Sequence, residues 1–413
     1  MVSMLENVIK TYRRGIELNN YPKDFEELIL KPQRILHVNI PIKTSKGLKV
    51  FEAYRVQHNN FLGPYKGGIR YYENVTLEDD IALAMIMTLK NSLNNLPYGG
   101  AKGAIKVNPK ELSIEELEKL SREYIRAISI IIGKEIDIPA PDLGTNSQIM
   151  AWMIDELSKI EGFNSFATIT SKPLELFGNP IREYATGYGV AFISKLIGEK
   201  ILDGIENKRV SIQGFGNVGK WSAYWLEKFG AKVVAISDSS GTIYNENGLD
   251  IEEVEKIKMK TNKLTEYKDG KKIEDPNYSL YVDCDILIPA AIENVITVNN
   301  FNKIKAKIIV EAANNPTQYE AEKELLNKDV YIVPDILANS GGVIASYLEW
   351  IQNLNWYFWD EEKNKKELEK IMKNSFEKVF NKFEKENLRS LRDAAISLSL
   401  ERLYKVAKIR GYI

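Results

Sequence analysis

One segment limits the possible folds of this chain more than any other: a glycine-rich turn between a β run and a helix. Arg209–Gln213 is a short β run, Gly214-Phe-Gly-Asn-Val-Gly219 follows it, and a helical pattern extends to about Phe229. In such a unit the first glycine permits a tight turn, the second lets the backbone approach a pyrophosphate, and the third allows close helix–strand packing. The segment predicts a Rossmann-type dinucleotide site, although a glycine-rich turn of this kind also occurs without a ligand.

The next β run, Lys232–Ser237, ends at an acid, Asp238, about 20 residues beyond the last glycine. A carboxylate at this place in a βαβ unit binds ribose hydroxyls. Asp238 favours NAD, because a carboxylate repels a 2′-phosphate. The hydroxyls of Ser239 and Ser240 can serve a phosphate instead, so the choice between NAD and NADP stays open.

The pattern of elements divides the chain near residue 183. The first third is α+β: residues 36–42 and 48–56 alternate like two half-buried strands of a hairpin, and helical segments follow Thr76 and Ser113. Beyond residue 183, short apolar runs alternate with helices, which favours a parallel α/β sheet. We predict one domain over residues 1–182 and a second over 183–387, with the helix at 388–413 returning to the first domain.

Composition excludes several classes of protein. With 56 basic and 57 acidic residues the net charge is −1, so the basic excess of a general nucleic-acid binder is absent, although a local basic groove is not excluded. The two histidines cannot form a multi-histidine metal site, and one cysteine cannot form an internal disulfide. No apolar run approaches the length of a membrane span, and the charged start does not resemble a signal peptide. We expect a cytoplasmic protein without nucleic-acid or membrane partners.

Three lysines of the first domain occur in unusual surroundings. Lys66 and Lys102 are flanked by glycines, and Lys90 comes late in a strongly apolar helix. Desolvation and a second nearby cation both lower the pKa of a lysine, which makes it a usable acid or base near neutral pH. The alternative is that all three are ordinary surface lysines, as most lysines are.

An acid and a second glycine pair complete the candidate residues. Asp142 follows Ile138-Pro-Ala-Pro141, and the two prolines predict a rigid loop. Taken alone, Asp142 is more typical of a turn or a helix cap than of a catalytic group. Gly341 and Gly342 precede an apolar helix that carries Ser346 about one turn in.

Together these motifs resemble the glutamate/leucine/phenylalanine/valine dehydrogenase family, and within it the glutamate dehydrogenases. The resemblance covers almost the whole chain, and every motif occurs in order. The motifs are GPYKGGIR at 63–70, LKNSL at 89–93, LPYGGAKGA at 96–104, IPAPDLGTN at 138–146, ATGYGV at 185–190, QGFGNVG at 213–219, AANNPT at 312–317 and ANSGGVIASYLEW at 338–350.

The resemblance implies a role for each substrate-site residue. Lys102 is similar to the catalytic lysine that activates water, and Asp142 to its proton-transfer partner. Lys66, with Ser346 beside it, is similar to the lysine that binds the side-chain carboxylate of the substrate, and Lys90 to the residue that binds the α-carboxylate. The other implied substrate-site residues are Gly67, Gly68 and Val343.

The cofactor site, the fold and the assembly are implied in the same way. The fold is α/β with two domains, a substrate-binding and oligomerisation domain and a Rossmann-type dinucleotide domain with a cleft between them, usually assembled as a homohexamer. Cofactor contacts are implied for Arg182, Thr186, Gly214, Gly216, Asn217, Val218, Gly219, Asp238, Asn314 and Asn339.

The expected activity is the NAD- or NADP-dependent, reversible oxidative deamination of L-glutamate to 2-oxoglutarate and ammonia, without a metal. Two alternatives remain. A branched-chain or aromatic amino-acid dehydrogenase would need an apolar side-chain pocket, against which Lys66 and Ser346 argue. A non-catalytic nucleotide-binding subunit would not need Lys102 and Asp142 together.

Overall fold

The computed structural model describes residues 3–413, which divide into two compact units. The first unit comprises the chain up to Arg182, Val343–Asn364 and Ile396–Ile413; the second comprises Glu183–Gly342 and Lys365–Ala395. The first division lies at the predicted boundary. The prediction of one continuous second domain over 183–387 was wrong, because residues 343–364 pack into the first unit. The last helix, assigned whole to the first domain, is divided between the units at residue 395.

The interruption has a physical cause in the contacts of Glu349. Its carboxylate is buried and forms an ion pair of 2.6 Å with Lys172 Nζ. It also accepts a hydrogen bond of 2.8 Å from the backbone N–H of Ser171. Because an unpaired buried charge is strongly destabilising, these contacts hold the segment that carries Glu349 in the first unit.

The helices and strands of the first unit precede residue 183, apart from later helical segments. Its strands are β1 (Arg34–Thr44), β2 (Gly47–Asn59), β3 (Tyr65–Tyr71), β4 (Gly100–Ile105) and β5 (Asp137–Pro141). Its helices are α1 (Met4–Leu18), α2 (Lys23–Ile29), α3 (Leu77–Leu93), α4 (Ile114–Ile128) and α5 (Ser147–Glu161).

The five strands form one sheet in the order β1-β2-β4-β3-β5. The predicted hairpin is confirmed, since β1 and β2 are antiparallel and pair from Arg34 with Gln57 to Thr44 with Gly47. The strands β3, β4 and β5 were not predicted, and β3 is parallel to both of its neighbours. Apolar side chains of α4 and α5 form a core with one face of the sheet, whereas α3 packs on the other face, where Gly100 leaves no room for a side chain beneath it.

The two prolines before Asp142 belong to a strand and not to the predicted loop. Pro139 and Pro141 lie in β5, which is at the edge of the sheet and pairs on one side only, with β3. Proline is tolerated at such an edge because its missing N–H does not break a ladder on the outer side. Asp142 follows the last residue of this strand.

The second unit is an α/β structure built on one seven-stranded sheet. Its strands are β6 (Arg209–Gln213), β7 (Lys232–Asp238), β8 (Gly241–Tyr244), β9 (Lys271–Ile273), β10 (Ile286–Pro289), β11 (Ile308–Val310) and β12 (Tyr331–Val333). Its helices are α6 (Ala185–Ile201), α7 (Asn217–Lys228), α8 (Ile251–Thr261), α9 (Tyr319–Leu326) and α10 (Asp335–Ala338). Three later helices each have residues in both units: α11 (Gly341–Asn355), α12 (Glu361–Lys385) and α13 (Leu391–Ile409).

The sheet of the second unit has the order β12-β11-β10-β6-β7-β8-β9. The predicted parallel arrangement is confirmed for β7, β6, β10, β11 and β12, and the unpredicted strands β8 and β9 extend one edge in antiparallel pairing. The strand order reverses between β10 and β6, and dinucleotides bind at such switch points in open α/β sheets. No helix among residues 3–413 is long and apolar enough to cross a membrane.

Candidate active site and dinucleotide site

The register of the first sheet brings the candidate lysines to one face. Ile69 pairs with Gly103 and Arg70 with Ala104 in the parallel ladder of β3 and β4. Because side chains alternate along a strand, Lys66 and Arg70 of β3 point to the same side as Lys102 of β4. This is the face on which α3 packs, opposite the apolar core.

Three charged groups meet at this face. Lys102 Nζ lies 2.8 Å from Asp142 Oδ1, and Arg70 Nε lies 2.7 Å from Asp142 Oδ2. The residue Lys102 is 4% exposed, so its ammonium is largely desolvated. The backbone N–H of Asp142 donates a hydrogen bond of 2.8 Å to Thr145 Oγ1, which fixes the start of the loop. One carboxylate therefore aligns two cations from two strands.

Burial and charge act in opposite directions on the pKa values of this group. Burial lowers the pKa of Lys102, the Asp142 carboxylate opposes that change, and the Arg70 charge adds to it. Burial would raise the pKa of Asp142, but the charges of Lys102 and Arg70 outweigh it and hold that pKa well below its usual range. Asp142 is thus an anion, and Lys102 gives up a proton more readily than an exposed lysine does.

Lys66 is a buried ammonium whose hydrogen-bond partners are both neutral. Its Nζ donates hydrogen bonds to Ile138 O at 3.1 Å and to Thr170 Oγ1 at 2.8 Å. Within residues 3–413 no acidic side chain lies within 4.0 Å of it. Burial, together with the charges of Arg55 and Arg182, lowers its pKa well below the usual value. A carboxylate that binds here would therefore pair with the Lys66 ammonium, which no acidic side chain neutralises.

The glycines beside Lys66 keep the backbone and Asp142 in place. A Cβ on Gly67 would collide with the carbonyl oxygen of Ala101 on β4. A Cβ on Gly68 would lie 2.9 Å from the Cβ of Asp142 and 2.9 Å from Pro141 O. Both positions therefore exclude a side chain, since real Cβ atoms do not approach so closely.

Lys90 and the start of α11 supply the remaining predicted substrate residues. Lys90 is 7% exposed in the last turn of α3. Ser346 is buried on α11, and Val343 lies one turn before it. Glu349, one turn after Ser346 on the same helix face, acts on the charge of Lys66. No hydrogen bond between Ser346 and Lys66 is present, so their predicted shared role remains a prediction.

The glycine-rich turn of the second unit has the shape that a pyrophosphate requires. Gly214 has a φ of +99°, and a Cβ there would lie 2.9 Å from Ala291, just beyond β10. A Cβ on Gly219 would collide with Gly214 O, whereas the space around Gly216 is open. Gly216 caps α7 without a side-chain hydrogen bond, so the first N–H groups of this helix are available to an anion. These residues fit a dinucleotide.

Thr186 and Asn217 lie at the starts of two helices that pack closely. Asn217 Nδ2 donates a hydrogen bond of 2.8 Å to Glu183 O, just before α6. A Cβ on Gly187 would lie 2.7 Å from Val218 O on α7. The structure therefore brings the predicted cofactor residues Thr186, Asn217 and Val218 together beside the glycine turn.

Asp238 is occupied by two neighbours. The N–H and Oγ of Ser240 donate hydrogen bonds of 2.7 and 2.6 Å to Asp238 Oδ1. Lys258, in the last turn of α8, forms an ion pair with Asp238 Oδ2. Burial would raise the pKa of Asp238, but these partners lower it below its usual value. The carboxylate is charged and already paired with a cation.

Asn314 and Asn339 are also brought together. Asn339 Nδ2 donates hydrogen bonds of 3.1 Å to both Asn314 Oδ1 and Ala312 O. The turn that carries Asn314 is held by Asp335, whose Oδ2 accepts a hydrogen bond of 2.9 Å from Asn315 N. The pair therefore fixes the loop that follows β11.

Arg182, a predicted cofactor contact, has a hydrogen-bond partner in the first unit. It belongs to the first unit, where its Nε donates a hydrogen bond of 2.5 Å to Ser171 Oγ. Its charge acts on Lys66, and burial lowers its own pKa. Within the first unit Arg182 therefore belongs electrostatically with the lysine group.

The sequence analysis missed three residues of the lysine group. Arg70 has a signal in the sequence, since it lies four residues after Lys66 and so on the same face of a strand. Thr170 and Glu349 carry no such signal, because they come from a loop and a helix far away in the chain. Among residues 3–413 there is no group of three or more His, Cys, Asp or Glu side chains that would hold a metal ion.

A Rossmann-type unit and a unit with a buried lysine–aspartate pair define a nucleotide-dependent amino-acid dehydrogenase. Residues 178–411 match the family model described as Glutamate/Leucine/Phenylalanine/Valine dehydrogenase. Residues 32–159 match the model described as Glu/Leu/Phe/Val dehydrogenase, dimerisation domain. The chain belongs to this family, which confirms the resemblance found in the sequence.

Relatives agree with the assignment over the full length of the chain. The NADP(+)-dependent glutamate dehydrogenase of Pyrobaculum calidifontis is 53% identical over 99% of this chain and 98% of its own. The NAD-specific glutamate dehydrogenase of Staphylococcus aureus is 41% identical over 100% of this chain and 98% of its own. The crystal structure of the hetero-hexameric glutamate dehydrogenase from Thermus thermophilus is 34% identical, with a TM-score of 0.94 over 99% of this chain and 97% of that one.

Proposed function

We propose that this chain is an NAD(P)-dependent glutamate dehydrogenase that catalyses the reversible oxidative deamination of L-glutamate to 2-oxoglutarate and ammonia. The observation that carries the choice of glutamate is Lys66, a buried ammonium hydrogen-bonded to Ile138 O and Thr170 Oγ1 without an acidic partner. An unpaired buried cation is unfavourable against an apolar side chain and favourable against a carboxylate. The names of the full-length relatives support the same substrate.

Substrate binding depends on the ammonium groups of two lysines and on two glycines that line the site. Lys66 binds the side-chain carboxylate, with the hydroxyl of Ser346 as a second donor, and Lys90 binds the α-carboxylate. Gly67 and Gly68 line the site where the close approach of Ala101 and Asp142 excludes a side chain, and Val343 packs against the methylene groups of the substrate. Holding both ends of glutamate fixes its Cα, and such orientation is worth several kcal/mol of a reaction barrier.

The chemistry rests on Lys102 and Asp142. A bound nicotinamide supplies the hydride acceptor, and Gly214, Gly216 and Gly219 would hold its pyrophosphate with Asn217 and Val218 at the helix start. Lys102, whose pKa is lowered by burial, takes a proton from the water that attacks the iminium carbon. Asp142 keeps Lys102 oriented and carries protons to and from the substrate nitrogen. Arg70 keeps Asp142 ionised.

We propose that the enzyme uses both cofactors. Asp238 by itself would repel a 2′-phosphate, but Lys258 neutralises it and is a cation at the same place. Thr186, Asn314 and Asn339 remain proposed cofactor contacts, with Asn314 near the nicotinamide ribose. Arg182 remains a proposed cofactor contact, although its place in the first unit supports a role near Lys66 equally well.

Cofactor choice gives a first prediction. Asp238→Ser should raise the NADP/NAD ratio of kcat/KM, because the repelling charge is lost and Lys258 is released. Lys258→Met should lower that ratio. Dissociation constants of NADPH and NADH, measured by quenching of tryptophan fluorescence, should change in the same sense. Lys256→Met, which removes an exposed lysine from the same helix, serves as the control. An unchanged ratio in both variants would mean that this pair faces away from the ribose.

Assembly and location are part of the same proposal, the first supported by the family and the second by the composition of the chain. We propose a homohexamer, in which the first unit carries the subunit contacts, and a cytoplasmic location. The single cysteine, Cys284, is buried, and burial raises its thiol pKa to about 12, so the fold does not depend on an oxidising compartment.

One assay tests the proposed activity. The increase in reduced-nicotinamide absorbance is measured with glutamate, with leucine and without substrate, each with NAD and with NADP. We expect turnover with glutamate at least tenfold above that with leucine. Preference for leucine would favour the branched-chain alternative, and nucleotide binding without turnover would favour a non-catalytic subunit.

A further inference from the structure

Asp80 is a buried carboxyl group that the mechanism above does not use. It lies in the first turns of α3 and is 0% exposed. Neither of its carboxyl oxygens has a hydrogen-bond partner within residues 3–413. Leaving a buried carboxylate unsatisfied is costly, so the position calls for an explanation beyond packing.

The packing of α3 on the sheet places Asp80 above the catalytic strand. At one end of the contact, a Cβ on Gly100 of β4 would lie against Ala84 O of α3. At the other end, Leu77 of α3 packs against a small apolar cluster that includes Ala104 of β4. Asp80 lies between Leu77 and Ala84 on the helix, just as residue 102 lies between Gly100 and Ala104 on the strand.

The charges around Asp80 agree with this placement. The cation that acts on it most strongly is Lys102, followed by Arg55 and Arg70. Arg70 of β3 and Lys102 of β4 lie on the same side of the sheet as Asp80, while Arg55 of β2, Tyr124 of α4 and Asp142 after β5 also interact with its charge. On its own helix, Glu78 is exposed to solvent.

We propose that Asp80 is a positioning residue whose charge sets the proton affinity of Lys102. This inference rests on the proposed function, in which Lys102 exchanges a proton with water. Burial and Arg70 both push Lys102 towards its neutral form, and Asp80 acts in the opposite direction from the side of the sheet on which Lys102 lies. In a reversible reaction the same lysine must accept a proton in one direction and return it in the other, so its proton affinity has to lie near the working pH.

The protonation behaviour of the Asp80 carboxyl group is consistent with this role. Burial raises the pKa of Asp80 to about 7, although Lys102, Arg55 and Arg70 oppose the change. Its carboxyl group therefore becomes charged as the pH rises through about 7. The folded state binds this proton more tightly than the unfolded state does, so Asp80 costs stability as the pH rises through about 7.

The test compares Asp80→Asn with Glu78→Gln, which removes one exposed charge from the same turn of α3. The pKa of Lys102 is measured without substrate or cofactor, by competitive acetylation with acetic anhydride at a series of pH values and mass spectrometry of the Lys102 peptide. We expect the midpoint for Lys102 to fall by roughly one pH unit in Asp80→Asn and to stay unchanged in Glu78→Gln. An unchanged midpoint in Asp80→Asn would overturn the proposal.

Activity supplies a second readout that a merely structural role would not change. The acidic limb of the pH profile for glutamate oxidation and the basic limb for reductive amination should both move to lower pH in Asp80→Asn, because neutral Lys102 is favoured throughout. Limbs that stay fixed would contradict the proposal. If the wild-type protein does not turn over glutamate, the proposed function fails, while the acetylation result still decides the role of Asp80.

The melting temperature distinguishes an electrostatic role of Asp80 from a packing defect caused by the substitution. At pH 8 the melting temperature of Asp80→Asn should equal or exceed that of the wild type, because a buried unpaired charge is removed. A fall of several degrees would count against the proposal. Should Asp80→Asn fail to fold, Asp80→Ser removes the same charge, and the acetylation midpoint of Lys102 is read in that variant.

Discussion

Lys102→Ala will abolish glutamate turnover and leave dinucleotide binding intact. The ammonium of Lys102 lies 2.8 Å from Asp142 and is the proposed base for water. Positioned general acid–base groups contribute about 10²–10⁴-fold to rate, so kcat should fall by at least about a hundredfold. The fold should survive, since Asp142 keeps its ion pair with Arg70. Initial rates with glutamate and fluorescence titration with NADH and NADPH measure the two effects separately.

Two further variants make this test specific. Lys110→Ala removes an exposed lysine from the same part of the chain and should leave kcat unchanged. Lys102→Arg keeps a positive charge beside Asp142 but cannot give up its proton at neutral pH, so it should be nearly as inactive as the alanine variant. Activity of Lys102→Ala within tenfold of the wild type would remove Lys102 from the mechanism.

Lys66→Leu will shift the enzyme from glutamate towards apolar amino acids. A charged hydrogen bond in a desolvated site is worth about 1.5–3 kcal/mol net, so kcat/KM for glutamate should fall tenfold or more. Relative activity on leucine should rise, because the buried ammonium that opposes an apolar side chain is gone. The ratio of kcat/KM for leucine to that for glutamate is the quantity to measure.

The partner of Lys66 in this role is tested in the same background. Adding Ser346→Val should extend the shift, and the effects of the two changes should not add, because both side chains are proposed to contact one carboxylate. Lys119→Leu, an exposed lysine of α4 replaced in the same way, is the matched control. A leucine/glutamate ratio that does not change in Lys66→Leu would withdraw the main physical support for glutamate as substrate.

Elements with local signals were predicted well from the sequence. The helix α3 begins after Thr76, whose hydroxyl and whose N–H exchange hydrogen bonds with Asp79 as the capping box predicts. The hairpin of β1 and β2 follows from alternating side chains. The strand β6, the glycine turn and the strand β7 follow from a pattern that fits within about 30 residues. In each case the interactions that stabilise the element lie close together in the chain.

Elements that depend on distant partners were not predicted. The strands β3, β4 and β5 are short or contain glycine and proline, and their pairing becomes favourable only when the three lie side by side. The same holds for residues 343–364, which follow the dinucleotide unit in the sequence but are held in the first unit by Glu349 and Lys172. Neither arrangement can be predicted from the residues of the segment alone.

By itself, the sequence determined the family, the dinucleotide turn and the identity of the candidate lysines, because each depends on residue types at fixed spacing. Only the tertiary structure decided which groups face one another. The parallel register of β3 and β4 puts Lys66, Arg70 and Lys102 on one side of the sheet, and the crossover through α3 brings the unpaired Asp80 to that same side. Charges act through space and not along the chain, so the proton affinity of Lys102 is a property of the fold.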